Sequence, residues 1–223
     1  MKSEINVLLT VGGHGFQEEA FYTMFDSMEG VKFHTIHLPD SADVLRPGLR
    51  KIYDVIVMYD MVDSIAPSQQ KAFASLLEEG IGLISLHHNL AAHRSWDEFP
   101  RIVGGRYFLA TEILDGSEFP PSTYYHDQDI QVTVVDKAHP ITAGMDNFQI
   151  HDETYKGYYT APNVEILLKT GHPNSDPPLA WTTRYGRSPV FYLLLGHDVQ
   201  AWRHPVYPRL LRNAILWAAK KRY

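Results

Sequence analysis

Gly82-Leu83-Ile84-Ser85-Leu86-His87-His88-Asn89 is an apolar run of strand length that stops on two imidazoles and an amide. Just before it, Glu78-Glu79-Gly80 reads as the close of a helix. Strands buried on both faces of a parallel sheet are continuous apolar runs, and ligands sit outside their carboxyl ends. The stretch therefore predicts a central parallel strand with His87 and His88 at the edge where chemistry is placed. Upstream, Ile5 to Val11 and Tyr53 to Asp60 are two more runs of this kind, and Val31 to Leu38 carries a further strand with His34 and His37 in it. Between the first run and that strand, Phe16, Ala20, Phe21, Met24, Phe25 and Met28 recur at helical spacing up to Gly30. Pro67 opens a second helix whose inner face is Phe73, Leu76 and Leu77. Alternating strands and helices predict an α/β fold, a doubly wound, mostly parallel sheet with helices on both faces.

Downstream the regularity fades. Asn89 to Phe99 reads as a short helix with Trp96 and Phe99 turned inward, and Ile102-Val103-Gly104-Gly105 as a glycine turn. Arg106 to Asp129 has the composition of a loop, of a length that often marks a functional flap. Ile130 to Val135 alternates as a strand does. Phe148-Gln149-Ile150-His151-Asp152-Glu153-Thr154-Tyr155 carries three ionisable groups in a row and, taken alone, reads as a solvated turn. Val164 to Leu168 is strand-like, and Leu179 to Thr182 and Pro189 to Leu195 form a pair of strands around Tyr185-Gly186-Arg187. The second of these ends in Gly196-His197-Asp198. Pro208 opens a last helix with Leu211, Ala214, Ile215 and Ala218 inward, and Lys220-Lys221-Arg222 reads as its solvated end. With no internal repeat or linker, residues 1–223 read as a single domain.

The composition excludes several classes. Among 223 residues, 44% are hydrophobic and 21% charged, which is ordinary globular usage, and the formal net charge of -6 argues against nucleic acid as a partner. There is no cysteine, hence no disulfide, no thiolate metal site and no cysteine nucleophile. No apolar run approaches the roughly 18 residues that span a membrane, and Ile5 to Val11 lacks the flanks of a signal peptide. A cytoplasmic protein without a membrane partner is expected.

Four apolar runs finish in polar groups: Gly13-His14, Asp60, His87-His88 and His197-Asp198. In a parallel sheet these converge on one edge, with Asp152 and Glu153 reaching over it from the later segment. An imidazole beside a carboxylate makes a proton-transfer pair that works near neutral pH. The same groups, His87, His197 and Glu153, could instead ligate a divalent metal such as Zn, Mn or Fe. Neither His-Glu-x-x-His nor Gly-x-Ser-x-Gly occurs. The Gly12-Gly13-His14-Gly15 turn would leave backbone N–H groups at a helix start, suited to an anion or polar ligand, although it matches neither the dinucleotide fingerprint nor the phosphate loop.

These residues, taken together, resemble the ThuA-like family, named for trehalose utilisation. The likeness rests on Gly80-x-Gly82-Leu83-Ile84-x-Leu86-His87, on Ile102-Val103-Gly104-Gly105 with the later His126, and on His139-Pro140-Ile141 with Gly144-Met145. It continues through Asp152-Glu153-x-Tyr155, Leu179-Ala180-Trp181 and Phe191-Tyr192-x-x-Leu195-Gly196-His197. The His14 turn and the Arg106 to Gln128 segment depart from the pattern. The resemblance implies the class I glutamine-amidotransferase-like variant of the flavodoxin-like fold. In amidotransferases of that fold the elbow after the fourth strand carries a nucleophilic cysteine. Here His87 stands at or beside it, the flanking glycines are missing, and the thioester route is closed.

The family implies a small-molecule carbohydrate as ligand: a disaccharide, a glycoside or a 3-keto-sugar. On that reading His87, Glu153, His197 and Asp152 form the catalytic group, with His87 or Glu153 as the base. Gly13, His14, Asp60, His88, His126, Tyr155, Trp181 and Asp198 would contact the sugar, helped by aromatic faces from Tyr124, Tyr125 and Trp202. No cofactor is fixed, a divalent metal being the candidate. Homo-oligomers are common for this fold. The alternative is a non-catalytic carbohydrate-binding or accessory subunit using the same pocket. A protease or amidase descendant lacks its nucleophile.

Overall fold

The computed structural model describes residues 4–220, so Lys221 and Arg222 of the expected solvated tail lie outside the described residues. In chain order the first elements are β1 (Ile5–Gly12), α1 (Glu18–Asp26), β2 (Val31–His37), β3 (Val55–Asp60), α2 (Pro67–Glu78) and β4 (Gly82–Leu86). There follow a 3-10 turn (His87–Ala91), α3 (Phe99–Val103), β5 (Gly105–Arg106), and a small hairpin of β6 (Glu112–Leu114) and β7 (Ser117–Phe119). The later strands are β8 (Thr123–Val134), β9 (Phe148–Lys156), β10 (Tyr159–Thr160), β11 (Glu165–Thr170), β12 (Pro178–Tyr185) and β13 (Ser188–Leu193). Two helices, α4 (Val199–Trp202) and α5 (Val206–Ala218), complete the described chain.

Nine strands form one sheet in the order β2-β1-β3-β4-β13-β12-β11-β8-β9. The first five run parallel, and the remaining four are added antiparallel. Every residue of β3, β4 and β13 is buried. That is the continuous apolar signature of strands covered on both faces, and the parallel half is the flavodoxin-like sheet read from the sequence. Among the described residues no helix is long and apolar enough to cross a membrane.

Three expectations need correction. No helix spans Asn89 to Phe99: the 3-10 turn ends at Ala91, His93 takes a left-handed φ of 53°, and α3 starts only at Phe99. The loop-like segment from Arg106 holds the β6–β7 hairpin and the first half of β8. The expected solvated turn at Phe148–Tyr155 is strand β9, with Asp152, Glu153, Thr154 and Tyr155 all buried.

The β8–β9 pair positions the site. β11 meets β8 only at Val132, Thr133 and Val134, so the earlier part of β8 pairs with β9 alone. That part is a two-stranded arm leaving the sheet. Within it the register shifts between Tyr125 and Gln128, and His126 and Asp127 together face Glu153, with Asp127 at a φ of 56°. Such a bulge bends a strand and re-aims its side chains.

The turn after β13 is equally constrained. Gly196 has a φ of 112°, and a Cβ there would overlap the Tyr207 hydroxyl. Gly171 has nothing within 4 Å of its Cβ position. Gly196→Ala should therefore destabilise the protein by about 2–4 kcal/mol in urea unfolding, while Gly171→Ala should change it by less than about 0.5 kcal/mol. Equal effects at the two glycines would refute this account of the turn.

Candidate functional site

His87 is the first residue beyond β4 and sits at a left-handed φ of 49°. For a residue with a Cβ this costs about 1–2 kcal/mol. A sharp strained turn after a strand lifts a side chain clear of the sheet edge, as in a nucleophile elbow. The strain is present although the flanking glycines are not. Two hydrogen bonds hold the turn: the Tyr192 hydroxyl donates to the His87 carbonyl at 3.0 Å, and His87 Nδ1 donates to the Leu194 carbonyl at 2.6 Å. The second bond puts a proton on Nδ1, so Nε2 is the exchangeable position of the ring: protonated it donates to a carboxylate, and deprotonated it offers a lone pair.

That nitrogen faces the arm. His87 Nε2 lies 3.0 Å from Glu153 Oε2 and 2.9 Å from the Tyr155 hydroxyl. His197 Nδ1 is 3.2 Å from the same nitrogen and 3.5 Å from Glu153 Oε2. The second carboxylate oxygen, Oε1, is 3.2 Å from His126 Nδ1, which the bulge turns inward. Glu153 and Tyr155 project from the same face of β9 because side chains alternate along a strand. Tyr155 stacks on His87 with ring centroids 4.9 Å apart. One carboxylate thus stands among three imidazoles, and it is only 5% exposed.

The electrostatics follow from this crowding. Burial pushes the Glu153 carboxyl up, but the hydrogen bonds and charge of His197 and His87 outweigh it and hold it well below the carboxylate range. The hydrogen bond to Glu153 raises His197 against a smaller burial penalty. On the opposite wall burial, reinforced by the charge of His87, lowers His14 and depresses His88 strongly. The Tyr107 hydroxyl is pushed up to about 12 by burial and by Glu153. One side of the cavity is an ion-paired cluster, and the other presents neutral rings.

His87, Glu153, His197, His126, Tyr155, His14 and His88 all line a cavity of about 180 Å³. His14 packs on His88 at 4.6 Å between centroids, and His88 Nε2 donates to the Tyr59 carbonyl at 3.0 Å. The other sequence candidates do other work. Asp152 accepts backbone N–H groups from Glu153 (2.8 Å), Gly196 (2.6 Å) and His197 (3.0 Å), so it anchors the His197 turn. Burial raises its pKa, opposed by the charge of His87 and by those three bonds. Asp60 is fully buried, bonded to Thr10 Oγ1 at 2.5 Å and 3.3 Å from His93. At Gly13 a Cβ would overlap the Met61 carbonyl, so this glycine permits a backbone crossing and does not cradle a ligand. The helix start beyond it carries Glu18 and Glu19, which disfavours an anion. Asp198 caps α4 through the Gln200 N–H.

Trp181 and Trp202 are core residues: their indole N–H groups donate to the Val103 and Gly196 carbonyls. Tyr125 is exposed and does not line the cavity. Met61, Ala91, Tyr107 and Leu109 do line it and were not singled out from sequence. Of these, only Tyr107, directly after the Gly104-Gly105-Arg106 turn, carried a usable signal.

The ThuA family, described as trehalose utilisation, matches residues 7–218, and the chain belongs to it. A ThuA-like protein of Parabacteroides merdae ATCC 43184 superposes with a TM-score of 0.81 at 20% identity, over 98% of this chain and 91% of that one. A ThuA-like protein of Bacteroides uniformis ATCC 8492 gives 0.73 at 19% identity, over 98% and 93%. A cytoplasmic protein of Salmonella typhimurium LT2 gives 0.64 at 13% identity, over 95% and 99%. At these identities the likeness shows the fold. No curated protein matches the chain at a significant level.

Glu153→Gln should lower the pKa of His197 as read by NMR titration of its ring protons, because the hydrogen bond to this carboxylate is the largest cause of its elevation. An unchanged His197 titration would show that the pair is not formed in solution. Asp152→Asn should cost about 1–3 kcal/mol of stability, because an amide cannot accept all three N–H groups; a neutral result would remove Asp152 as the anchor of the turn.

Proposed function

We propose that this member of the ThuA family is an enzyme acting on a sugar or glycoside, in the C3-oxidised form where a keto group is needed, by acid/base chemistry at His87, Glu153 and His197. The observation that carries the reading is the convergence of His87 Nε2, Glu153 and His197 within a few ångströms at the carboxyl edge of the parallel sheet. The family's description, trehalose utilisation, supports a carbohydrate as the ligand. The cavity is smaller than the roughly 300–1,000 Å³ of drug-sized sites, so it suits one sugar ring, with the rest of the ligand outside. A cytoplasmic location is part of this reading, in keeping with the description of the Salmonella protein.

In this reading His87 is the base. Its Nδ1–H is tied to the Leu194 carbonyl, so the Nε2 lone pair is what it offers to the cavity. Glu153 is too strongly ion-paired to take a proton readily, and it orients the two rings. On a ring oxidised at C3, a C–H beside the carbonyl is acidic, and the imidazole removes that proton. The electron pair moves onto the carbonyl oxygen, where the elevated His197 supplies positive charge and a donor. Tyr155 keeps the His87 ring in plane by stacking on it.

The same three groups fit a divalent cation. His87, Glu153 and His197 each offer one ligand atom, all within 4.8 Å of one another. The Leu194 carbonyl on the far nitrogen of His87 is the outer partner that ligating histidines usually have. Such a cation would polarise the substrate carbonyl. Zinc, manganese and iron all accept this mixed imidazole and carboxylate set.

His87→Ala and Glu153→Gln should each reduce turnover of a glycoside, offered before and after oxidation at C3, by about 10²-fold or more, with affinity changed far less. A binding subunit would show no turnover in the wild type. Elemental analysis of tag-free protein, before and after chelation, distinguishes the two forms of the site. A stoichiometric metal lost in His87→Ala makes the trio a ligand set; protein that stays metal-free when offered zinc, manganese or iron leaves it a proton-transfer cluster.

A further inference from the structure

We infer that the rim of this cavity is a subsite for an apolar, aromatic aglycone, so that aryl glycosides are bound in preference to disaccharides. The inference rests on the sugar reading above and narrows it. The inner wall is polar, formed by Glu153, His87 and His197. The exposed part of the lining presents Leu109 and Tyr124 beside the His14 and His126 rings. Leu109 is 42% exposed and Tyr124 57% exposed. Scattered exposed apolar side chains need no explanation, but these flank one opening.

What the lining lacks is equally informative. Among the described residues Glu153 is its single carboxylate, and no Asp, Asn, Gln, Lys or Arg contributes. A second sugar ring would bring several hydroxyls into this rim. Each hydroxyl desolvated without a partner costs free energy that no gain in contact area recovers. The rim can answer with little beyond the Tyr124 hydroxyl and the His14 and His126 rings. A flat aromatic ring asks for no hydrogen bonds and gains from burial against Leu109 and Tyr124.

The aromatic path is continuous from the inner wall to the rim. Tyr155 stacks on His87 at 4.9 Å, and Tyr107 meets Tyr155 edge-on at 4.8 Å. Tyr124 lies directly opposite Tyr155 in the β8–β9 ladder, so both rings project from one face of the arm. Tyr124 is in turn set against His126 at 5.1 Å, and His126 holds Glu153. A sugar ring seated against His87 therefore directs its substituent along Tyr155 toward Tyr124.

Isothermal titration with methyl glucoside, phenyl glucoside and trehalose tests this, each offered also after oxidation at C3. Phenyl glucoside should bind about tenfold more tightly than methyl glucoside, which corresponds to about 1.4 kcal/mol, and trehalose no more tightly than methyl glucoside. In Leu109→Ser and in Tyr124→Ala the ratio of phenyl to methyl affinity should fall toward one. Methyl glucoside binding with no phenyl advantage, or with trehalose bound tightest, overturns the aryl subsite and leaves the sugar reading standing. Absence of binding by all three compounds overturns both.

Discussion

The contact between His87 and Glu153 sets the terms for the rest of the molecule. His87 follows β4, whereas Glu153 lies on β9, five strands further along the sheet. In a flat sheet the two would be about 24 Å apart, at roughly 4.8 Å per strand. Their side chains meet at 3.0 Å. The antiparallel half must therefore coil back over the carboxyl edge of the parallel half. Its devices are visible: register shifts in β11, the long β8 with only three residues paired to β11, and the bulge at His126 and Asp127. The twist of strands supplies the direction of the coil, and the bulge increases it locally.

Holding such a contact requires rigidity on both sides. On the β4 side, backbone strain at His87 is offset by the Tyr192 and Leu194 bonds and by complete burial of the strand beneath. On the arm side, Asp152 ties β9 to the Gly196–His197 turn through three N–H groups, so the residue next to Glu153 fixes the backbone of Glu153's own partner. Gly196 is needed because Tyr207 occupies the space a side chain would take. The site is thus assembled from three separate chain segments, each pinned by backbone hydrogen bonds. Desolvation makes each charge expensive alone, and mutual pairing makes the group stable together.

How much of this could be read from the chain depends on how each residue's environment shows in its neighbours. The strands β1, β3 and β4 and the helices α1 and α2 were legible because a strand buried on both faces has no polar interruption and an amphipathic helix repeats at its own period, whereas β2, at the sheet edge, mixes polar and apolar residues. His87, His197 and Glu153 were legible as a group because each closes or interrupts an apolar run. The first half of β8 was not: it pairs on one side only and is mostly exposed, so no apolar alternation marks it. β9 was misread for the opposite reason. Its buried Asp152 and Glu153 are satisfied by partners distant in sequence, and a buried Asp-Glu pair looks like a solvated one until those partners are known. Trp181 shows the same limit: an aromatic residue that satisfies its own N–H inside the core is indistinguishable, in sequence, from one offered to a sugar.

The elbow is where fold and chemistry separate. Where amidotransferases of this fold carry a thiol, this chain has a left-handed backbone at His87 and presents an imidazole. That exchange changes what the position can do. A thiolate at an elbow needs an open approach to an electrophilic carbon. His87 Nε2 is instead set among proton-exchanging groups, with Tyr155 Oη, Glu153 Oε2 and His197 Nδ1 at 2.9, 3.0 and 3.2 Å from it. A ring nitrogen in that company is suited to exchange a proton or to share a cation. The inherited backbone therefore argues for a preserved location of chemistry, while the side chains around it argue against preservation of the reaction.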